Sequence, residues 1–157
     1  MGRYNYSKAL DILAQYAKDE GFKTVKFNHD KTSYVNWTRD SLNIPSVIRI
    51  EGKHSDEIKV YLMLHELGHH ELRKDWDDFR VKFPILAKAD EQLFYNRDRK
   101  LRKGLVYDVG CMEEEFRAWE EGYKLAKVLG IRINQDEWFS LRSRCLMSYM
   151  KFYSGRN

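Results

Sequence analysis

Residues 60–69 constrain the fold of this chain more than any other stretch of its sequence. Five consecutive apolar residues, 60–64, lead into a pattern with histidines at positions 65 and 69. A helix with such a run must be covered by other parts of the chain, because its apolar surface extends around much of its circumference. The pattern therefore predicts a buried helix over residues 57–73, with Asp56 as the residue that caps it.

His65 and His69 are spaced so that both imidazoles can bind one metal ion. At about 3.6 residues per turn, positions four apart differ by about 40° around a helix and lie one turn apart along it. Imidazole nitrogens are common zinc ligands, and buried histidines without a metal need other polar partners. Glu66 is placed to act as the general base of a zinc-dependent hydrolysis. We therefore predict a Zn²⁺ cofactor bound by His65 and His69, with Glu66 as the catalytic residue.

A third protein ligand is expected, because catalytic zinc sites usually have three protein ligands and one open position. An acidic cluster in the sequence of a later helix supplies the candidates. We choose Glu115, because the small residue Ala118 in the following turn would let the two helices pack closely. Glu113 and Glu114 remain open as alternatives. Asp75 is disfavoured, since in a continuous helix it would lie about 9 Å along the axis from the second histidine and on another face.

The remaining pattern predicts an α+β fold. Helical spacing of apolar residues over 6–20, followed by Gly21, indicates an amphipathic N-terminal helix. Stretches rich in β-branched and aromatic residues at 22–27, 33–37 and 47–50 indicate three short strands. We expect these strands to form a small, mostly antiparallel sheet.

The length of 157 residues matches one domain, residues 1–157. We expect residues 1–73 to contain the N-terminal helix, the sheet and the metal-binding helix. Residues 74–110 are charged and weakly periodic, which predicts an irregular insertion. Residues 111–157 are expected to be helical and to carry the third ligand, and the last helix is expected to begin at Asn134 or Asp136.

Composition restricts the compartment and the partners. The net charge of +4 arises from 28 Lys and Arg against 24 Asp and Glu, which describes a mixed surface. The densest basic run, residues 97–103, is interpreted as solvated surface because no base-reading motif accompanies it. Cys111 and Cys145 are expected to be buried thiols rather than a disulfide. The first residues lack the apolar stretch of a secretion signal or membrane span, so we expect a cytoplasmic protein without a membrane partner.

With these motifs in place, the chain resembles the gluzincin class of zinc metallopeptidases, and within it the ImmA/IrrE family of small bacterial and phage-encoded peptidases. The resemblance covers about residues 6–129. It rests on the order helix, short strands, His-Glu-Leu-Gly-His-His at 65–70 and Glu-x-x-Ala at 115–118. The chain departs from the family at 119–122, where Trp-Glu-Glu-Gly replaces the usual asparagine and Phe-Ala pair, and in a longer stretch between the two motifs.

The resemblance implies a minimal gluzincin-like fold and a peptidase that cuts one or a few regulatory proteins, often repressors. In this mechanism Glu66 takes a proton from water at the zinc and passes it to the leaving amine. The tetrahedral oxyanion needs a further donor besides zinc. The candidates left open for that donor are Tyr107, Tyr123, His70, Tyr149 and Tyr153.

A protein or peptide substrate has two candidate contact regions. We expect an extended substrate strand to pair with an exposed sheet edge at residues 47–50, and residues 75–110 are interpreted as a lid or docking surface. Two other functions stay open: a zinc-containing module that binds a protein without cutting it, and a nucleic-acid-associated regulator that uses residues 97–103. Glu66 favours the peptidase, because a purely structural zinc site needs no base.

Overall fold

The chain folds as an N-terminal helix, a small sheet and a helical remainder, which confirms the predicted α+β class. A computed structural model describes residues 4–28, 33–37 and 41–155. Its regular elements, in chain order, are α1 (Tyr6–Asp19), β1 (Thr24–Asn28), β2 (Tyr34–Trp37), β3 (Pro45–Glu51), α2 (Asp56–Arg73), α3 (Trp76–Lys82), α4 (Pro84–Asn96), a short 3₁₀ helix (Lys100–Lys103), α5 (Leu105–Val128) and α6 (Gln135–Ser154).

The three strands form a mixed sheet in which β3 lies between β1 and β2. β1 pairs in parallel with β3, with Thr24 opposite Val47, and β2 pairs antiparallel with β3, with Tyr34 opposite Arg49. The prediction of a mostly antiparallel sheet is therefore wrong. The strand direction does reverse at each connection, but the third strand inserts between the first two, so β1 and β3 become parallel neighbours.

β3 occupies the centre of the sheet because it carries the most deeply buried apolar side chains. Ile48 and Ile50 are completely buried, whereas no residue of β1 is. Both sides of β3 are paired, so the expectation that residues 47–50 form an exposed edge is also wrong. Among the described strands, the outer edges belong to β1 and β2.

α2 packs against α1, α3, α5 and the sheet, so its apolar run is covered on several sides, as predicted. The cap lies one residue earlier than expected: the hydroxyl of Ser55, rather than Asp56, accepts a hydrogen bond from the backbone N–H of Ile58. Asp56 and Glu57 instead place negative charge in the first turn, where the helix dipole favours it. The buried residues of α2 are Val60, Tyr61, Leu62, Met63, Leu64, His65, Glu66, Leu67, Gly68, His70 and Leu72.

α2 and α5 are in backbone contact at two glycines. A Cβ atom added to Gly68 would lie 2.0 Å from the carbonyl oxygen of Ala118, and one added to Gly122 would lie 2.4 Å from the carbonyl oxygen of Leu64. Neither distance leaves room for a side chain. The expected close packing of α5 at Ala118, which is completely buried, is thus confirmed, and the contact fixes α5 against the helix that carries both histidines.

Residues 74–110 are helical, so the prediction of an irregular insertion is wrong. They form α3, α4, the 3₁₀ helix and the first residues of α5. Asp75 caps α3, and Pro84 stands at the start of α4, where a proline costs no hydrogen bond. α3 buries Phe79 alone and α4 buries residues only in its first half, so these helices gave a weak periodic signal in the sequence. Their few apolar residues join a second core cluster, which contains Leu72, Phe79, Phe83, Leu86, Ala87 and Ala118.

Two further features concern the cysteines and the hydropathy of the helices. Cys111 and Cys145 are free thiols, as predicted, although each is only partly buried. In the described parts of the chain, every helix is too short or too polar to cross a lipid bilayer.

Candidate metal centre

The structure brings His65, His69 and Glu115 together, although the glutamate comes from a different helix. Their candidate ligand atoms all lie within 4.8 Å of one another. Nε2 of His65 is 3.2 Å from Oε2 of Glu115, and Nε2 of His69 is 3.5 Å from Oε1 of the same carboxylate. Two imidazole nitrogens and one carboxylate oxygen therefore converge on one point.

The convergent atoms fit a divalent cation. Oε2 of Glu115 is buried, and apart from the contact with Nε2 of His65 at 3.2 Å it has no polar partner in the described parts of the chain. A buried carboxylate oxygen without a donor is costly, and a metal ion would satisfy it. Two histidines and one glutamate are also a ligand set of known catalytic zinc sites.

The three groups influence each other's ionisation. Burial raises the pKa of Glu115, but the interactions with His69 and His65 together outweigh it and lower this pKa to about 2. Burial lowers the pKa of His69, but Glu115 and Glu114 outweigh it and raise this pKa well above its usual range. For His65, burial dominates and lowers the pKa. The carboxylates therefore favour positive charge at this point, which a divalent cation would supply in place of the proton on His69.

Glu66 is buried beside these ligands, with only 5% of its surface exposed. It lines a cavity of about 210 Å³ together with His69, Glu115 and Tyr149. Burial raises the pKa of Glu66 to about 8, and the nearby charge of Glu115 adds to the shift while His69 opposes it. A carboxyl group with this pKa can exchange a proton near neutral pH.

The three adjacent glutamates at the candidate third-ligand position have three different environments. Glu115 faces the imidazoles, whereas Glu114 accepts hydrogen bonds from Arg73 on both of its oxygens. Glu113 is exposed to solvent. Successive helical residues point about 100° apart, so only one of the three can face the ligand point. Asp75 is exposed and caps α3, which removes it from the site.

Among the five candidate oxyanion donors, Tyr149 alone lines the cavity. Tyr107 accepts a hydrogen bond from Arg102, and the hydroxyl of Tyr123 accepts one from the side chain of Gln135. Burial raises the pKa of Tyr149, so its hydroxyl keeps its proton and can donate it in a hydrogen bond.

Glu20, His70 and Glu71 form a second group whose candidate ligand atoms lie within 4.8 Å of one another. Nε2 of His70 is 2.9 Å from Glu20, and the ammonium of Lys74 is 2.7 Å from Glu71. Tyr16 also donates a hydrogen bond to Glu71. Because these carboxylates already have donors and a positive charge beside them, we interpret the group as a polar network that joins α1 to α2.

Sequence reasoning missed two supports of the histidines. The indole of Trp119 stacks on His65, with ring centroids 4.4 Å apart and planes 20° apart. Arg73 reaches from the end of α2 to the carboxylate of Glu114. Each stands four residues after a site residue, Glu115 or His69, and therefore on the same face of its helix. That spacing is the signal that could have found them.

Comparison of the chain with models of protein families, with curated proteins and with solved structures gives no match. The resemblance to the ImmA/IrrE family therefore stays a prediction that rests on the motifs at 65–70 and 115–118.

Proposed function

We propose that this chain is a zinc-dependent metallo-endopeptidase that hydrolyses peptide bonds of a protein substrate of the regulatory class. The observation that carries the proposal is the convergence of His65, His69 and Glu115 beside the buried carboxyl of Glu66. A purely structural metal site would gain nothing from that carboxyl, because burying it without an ion-pair partner costs stability.

Each group has a role in the proposed reaction. When bound, zinc supplies Lewis-acid chemistry: it makes water more acidic and polarises the scissile carbonyl. Glu66 takes the proton of the attacking water and delivers it to the leaving amine. Tyr149 donates a hydrogen bond to the developing oxyanion.

The position of β2 at the edge of the sheet is an observation in favour of a peptide substrate. Among the described strands β2 pairs only with β3, so its other edge is unpaired. Tyr34, Val35 and Trp37 of this strand line the same cavity as Glu66. An extended peptide that hydrogen-bonds to this edge, as in other cases of β-strand addition, would pass beside the ligands. β2 thus replaces residues 47–50 as the proposed edge.

A second cavity, of about 570 Å³, adjoins the first, since Trp37 and Arg73 line both. Its far wall is formed by α4, through Asp90, Leu93 and Phe94. This supports the interpretation of residues 75–110 as a docking surface for the substrate, although these residues are helical. The free thiols support the further proposal of a reducing, cytoplasmic location.

The test is Glu66→Gln, measured on a proteome-derived peptide mixture by mass spectrometry. The zinc-loaded wild type should cleave peptides, and the variant should lose activity by about 10²- to 10⁴-fold because it lacks the base. Metal analysis should show roughly one zinc per chain in both proteins, and none in His65→Ala.

Glu113→Gln is the matched control, because it removes the same charge from an exposed position of α5 and should cleave like the wild type. Cleavage by Glu66→Gln at the wild-type rate, with zinc still bound, would contradict the proposed mechanism.

A further inference from the structure

The imidazole of His69 is contacted on both nitrogens by carboxylates. Its Nε2 faces Glu115, while its Nδ1 lies 3.1 Å from Oε1 of Glu114. An ionised carboxylate can only accept hydrogen bonds. A neutral imidazole that binds a metal through Nε2 has its proton on Nδ1, and Glu114 is placed to accept a hydrogen bond from that N–H.

Glu114 cannot turn away from this contact, because Arg73 holds both of its oxygens. Nε of Arg73 is 2.6 Å from Oε1, and Nη2 is 2.7 Å from Oε2. The third side of the guanidinium binds Asp90 at 2.8 Å. Cζ of Arg73 lies 4.9 Å from the centroid of the Trp37 ring and 4.5 Å from the centroid of the Phe79 ring.

This ion-pair network is almost entirely shielded from water. The side chains of Glu114, Arg73 and Asp90 are 8%, 12% and 13% exposed. Burying such charges is costly, and replacing them with apolar residues often leaves a protein as stable or more so. A gain in stability is therefore a poor explanation for the network, whereas the fixed orientation it gives to one carboxylate oxygen is specific.

The other histidine is held differently. Nδ1 of His65 is buried and has no hydrogen-bond partner in the described parts of the chain. Its ring is instead fixed by the stacked indole of Trp119. Of the two histidines, only His69 therefore has a carboxylate, that of Glu114, beside its Nδ1.

We propose that Glu114, fixed by Arg73 and Asp90, is a positioning residue that keeps the proton of His69 on Nδ1 and presents Nε2 to the metal. Carboxylates in this place orient a histidine ligand and make it more basic. The inference rests on the metal site of the proposed function, but not on its peptidase activity.

The first test uses the zinc-loaded wild type, with ¹⁵N-labelled histidines and NMR assignment of the five rings. The result expected is a proton on Nδ1 of His69 and a metal-shifted Nε2. A proton on Nε2, or a metal on Nδ1, would overturn the proposal. This measurement needs no variant, so it tests the proposed tautomer even if the substitutions below prevent folding.

The second test compares the zinc affinity of Glu114→Gln with that of Glu113→Gln. Glutamine keeps the shape of the side chain but not its charge, so the dissociation constant should rise about 10- to 100-fold. The exposed neighbour loses the same charge and should bind zinc like the wild type. A role in holding the fold alone would lower the thermal stability of metal-free Glu114→Gln and leave the zinc affinity of the folded protein unchanged, which would overturn the proposal.

The two proposals fail in distinguishable ways. A wild-type protein that binds no zinc would overturn both. Zinc binding with the expected His69 signals but without peptide cleavage would overturn only the proposed function. Cleavage together with unchanged affinity in Glu114→Gln would overturn only the positioning role.

Discussion

Glu66 is a carboxyl group that folding places in an unfavourable environment. Its side chain is buried, and its pKa rises from 4.5 to about 8. Between those two pH values the folded chain keeps a proton on this group and the unfolded chain releases it. The contribution of Glu66 to the free energy of unfolding therefore falls as the pH rises through this interval.

This gives a prediction for the metal-free protein. Glu66→Gln lacks the ionisable group, so the variant should become more stable relative to the wild type as the pH rises from 5 to 8. The expected change is a few kcal/mol, because each unit of pKa shift corresponds to about 1.4 kcal/mol. Urea unfolding in the presence of a chelator, at both pH values, measures the difference. A difference that is the same at pH 5 and pH 8 would show that the pKa of Glu66 is not raised.

Tyr149 gives the second prediction at this scale. Tyr149→Phe removes only the hydroxyl of a residue that lines the cavity, so kcat should fall by about 10²- to 10³-fold, the usual effect of losing one oxyanion donor. Zinc content should not change. Tyr123→Phe is the matched control, because that hydroxyl contacts Gln135 instead of the cavity. Full activity of Tyr149→Phe would contradict the proposed role of Tyr149 as oxyanion donor.

The sequence could predict which site residues lie on the same helix, but it could not predict every contact that a site residue makes with the other helix. The spacing of His65 and His69 depends only on helical geometry, and Ala118 supported the choice of Glu115. Glu114 remained a competing ligand, because its true contact depends on Arg73, which lies 41 positions away. Such a contact becomes visible only when the rotation of α5 against α2 is known. The ligand roles themselves stay predictions.

At the scale of elements, the contact of α2 with α5 is the most restrictive. Gly122→Ala would place a methyl group 2.4 Å from a backbone carbonyl oxygen of α2, which a side-chain rotation cannot relieve. We expect the variant to lose about 1–3 kcal/mol of stability through overpacking. Without that clash, replacing glycine by alanine in a helix would normally increase stability by roughly 1 kcal/mol. Thermal unfolding measures the change.

Gly110→Ala is the control on the same helix. There the added methyl group would meet the side chain of Leu86 at 3.3 Å, and a side chain can move. This variant should unfold close to the wild-type temperature. If Gly122→Ala were equally stable, the two helices would have to lie further apart than the structure shows.

The elements also show where sequence reasoning fails. Buried strands and long amphipathic helices were found because their apolar residues recur at a fixed period. The order β1-β3-β2 could not be predicted, because strand period gives no information on which neighbour a strand chooses. α3 was missed because it buries Phe79 alone. α4 was missed because its three buried residues lie close together in its first half, whereas those of α1, Ala9, Leu13 and Ala17, recur at every turn.

For the whole molecule, the proposed ligands connect the two central helices, so a bound metal would act as a cross-link of the folded state. Added zinc should raise the unfolding temperature in proportion to the logarithm of its concentration, with about 2.7 kcal/mol of stabilisation at one hundred times the dissociation constant. Differential scanning calorimetry with and without a chelator measures this. His65→Ala should show no such rise, and an equal rise in that variant would place the stabilising metal elsewhere.

Because α2 and α5 touch directly at two glycines, the positions of the proposed ligands depend on that contact more than on the length of the chain that links the two helices. Gly68 and Gly122 set the offset of the two helices, and a slip by one turn would carry Glu115 about 5.4 Å from the imidazoles. Within residues 74–104, Asp90 and the buried residues of α3 and α4 do contact these two helices. Changes of length in the exposed turns between these short helices should therefore leave the proposed ligands in place, whereas loss of Asp90 should not.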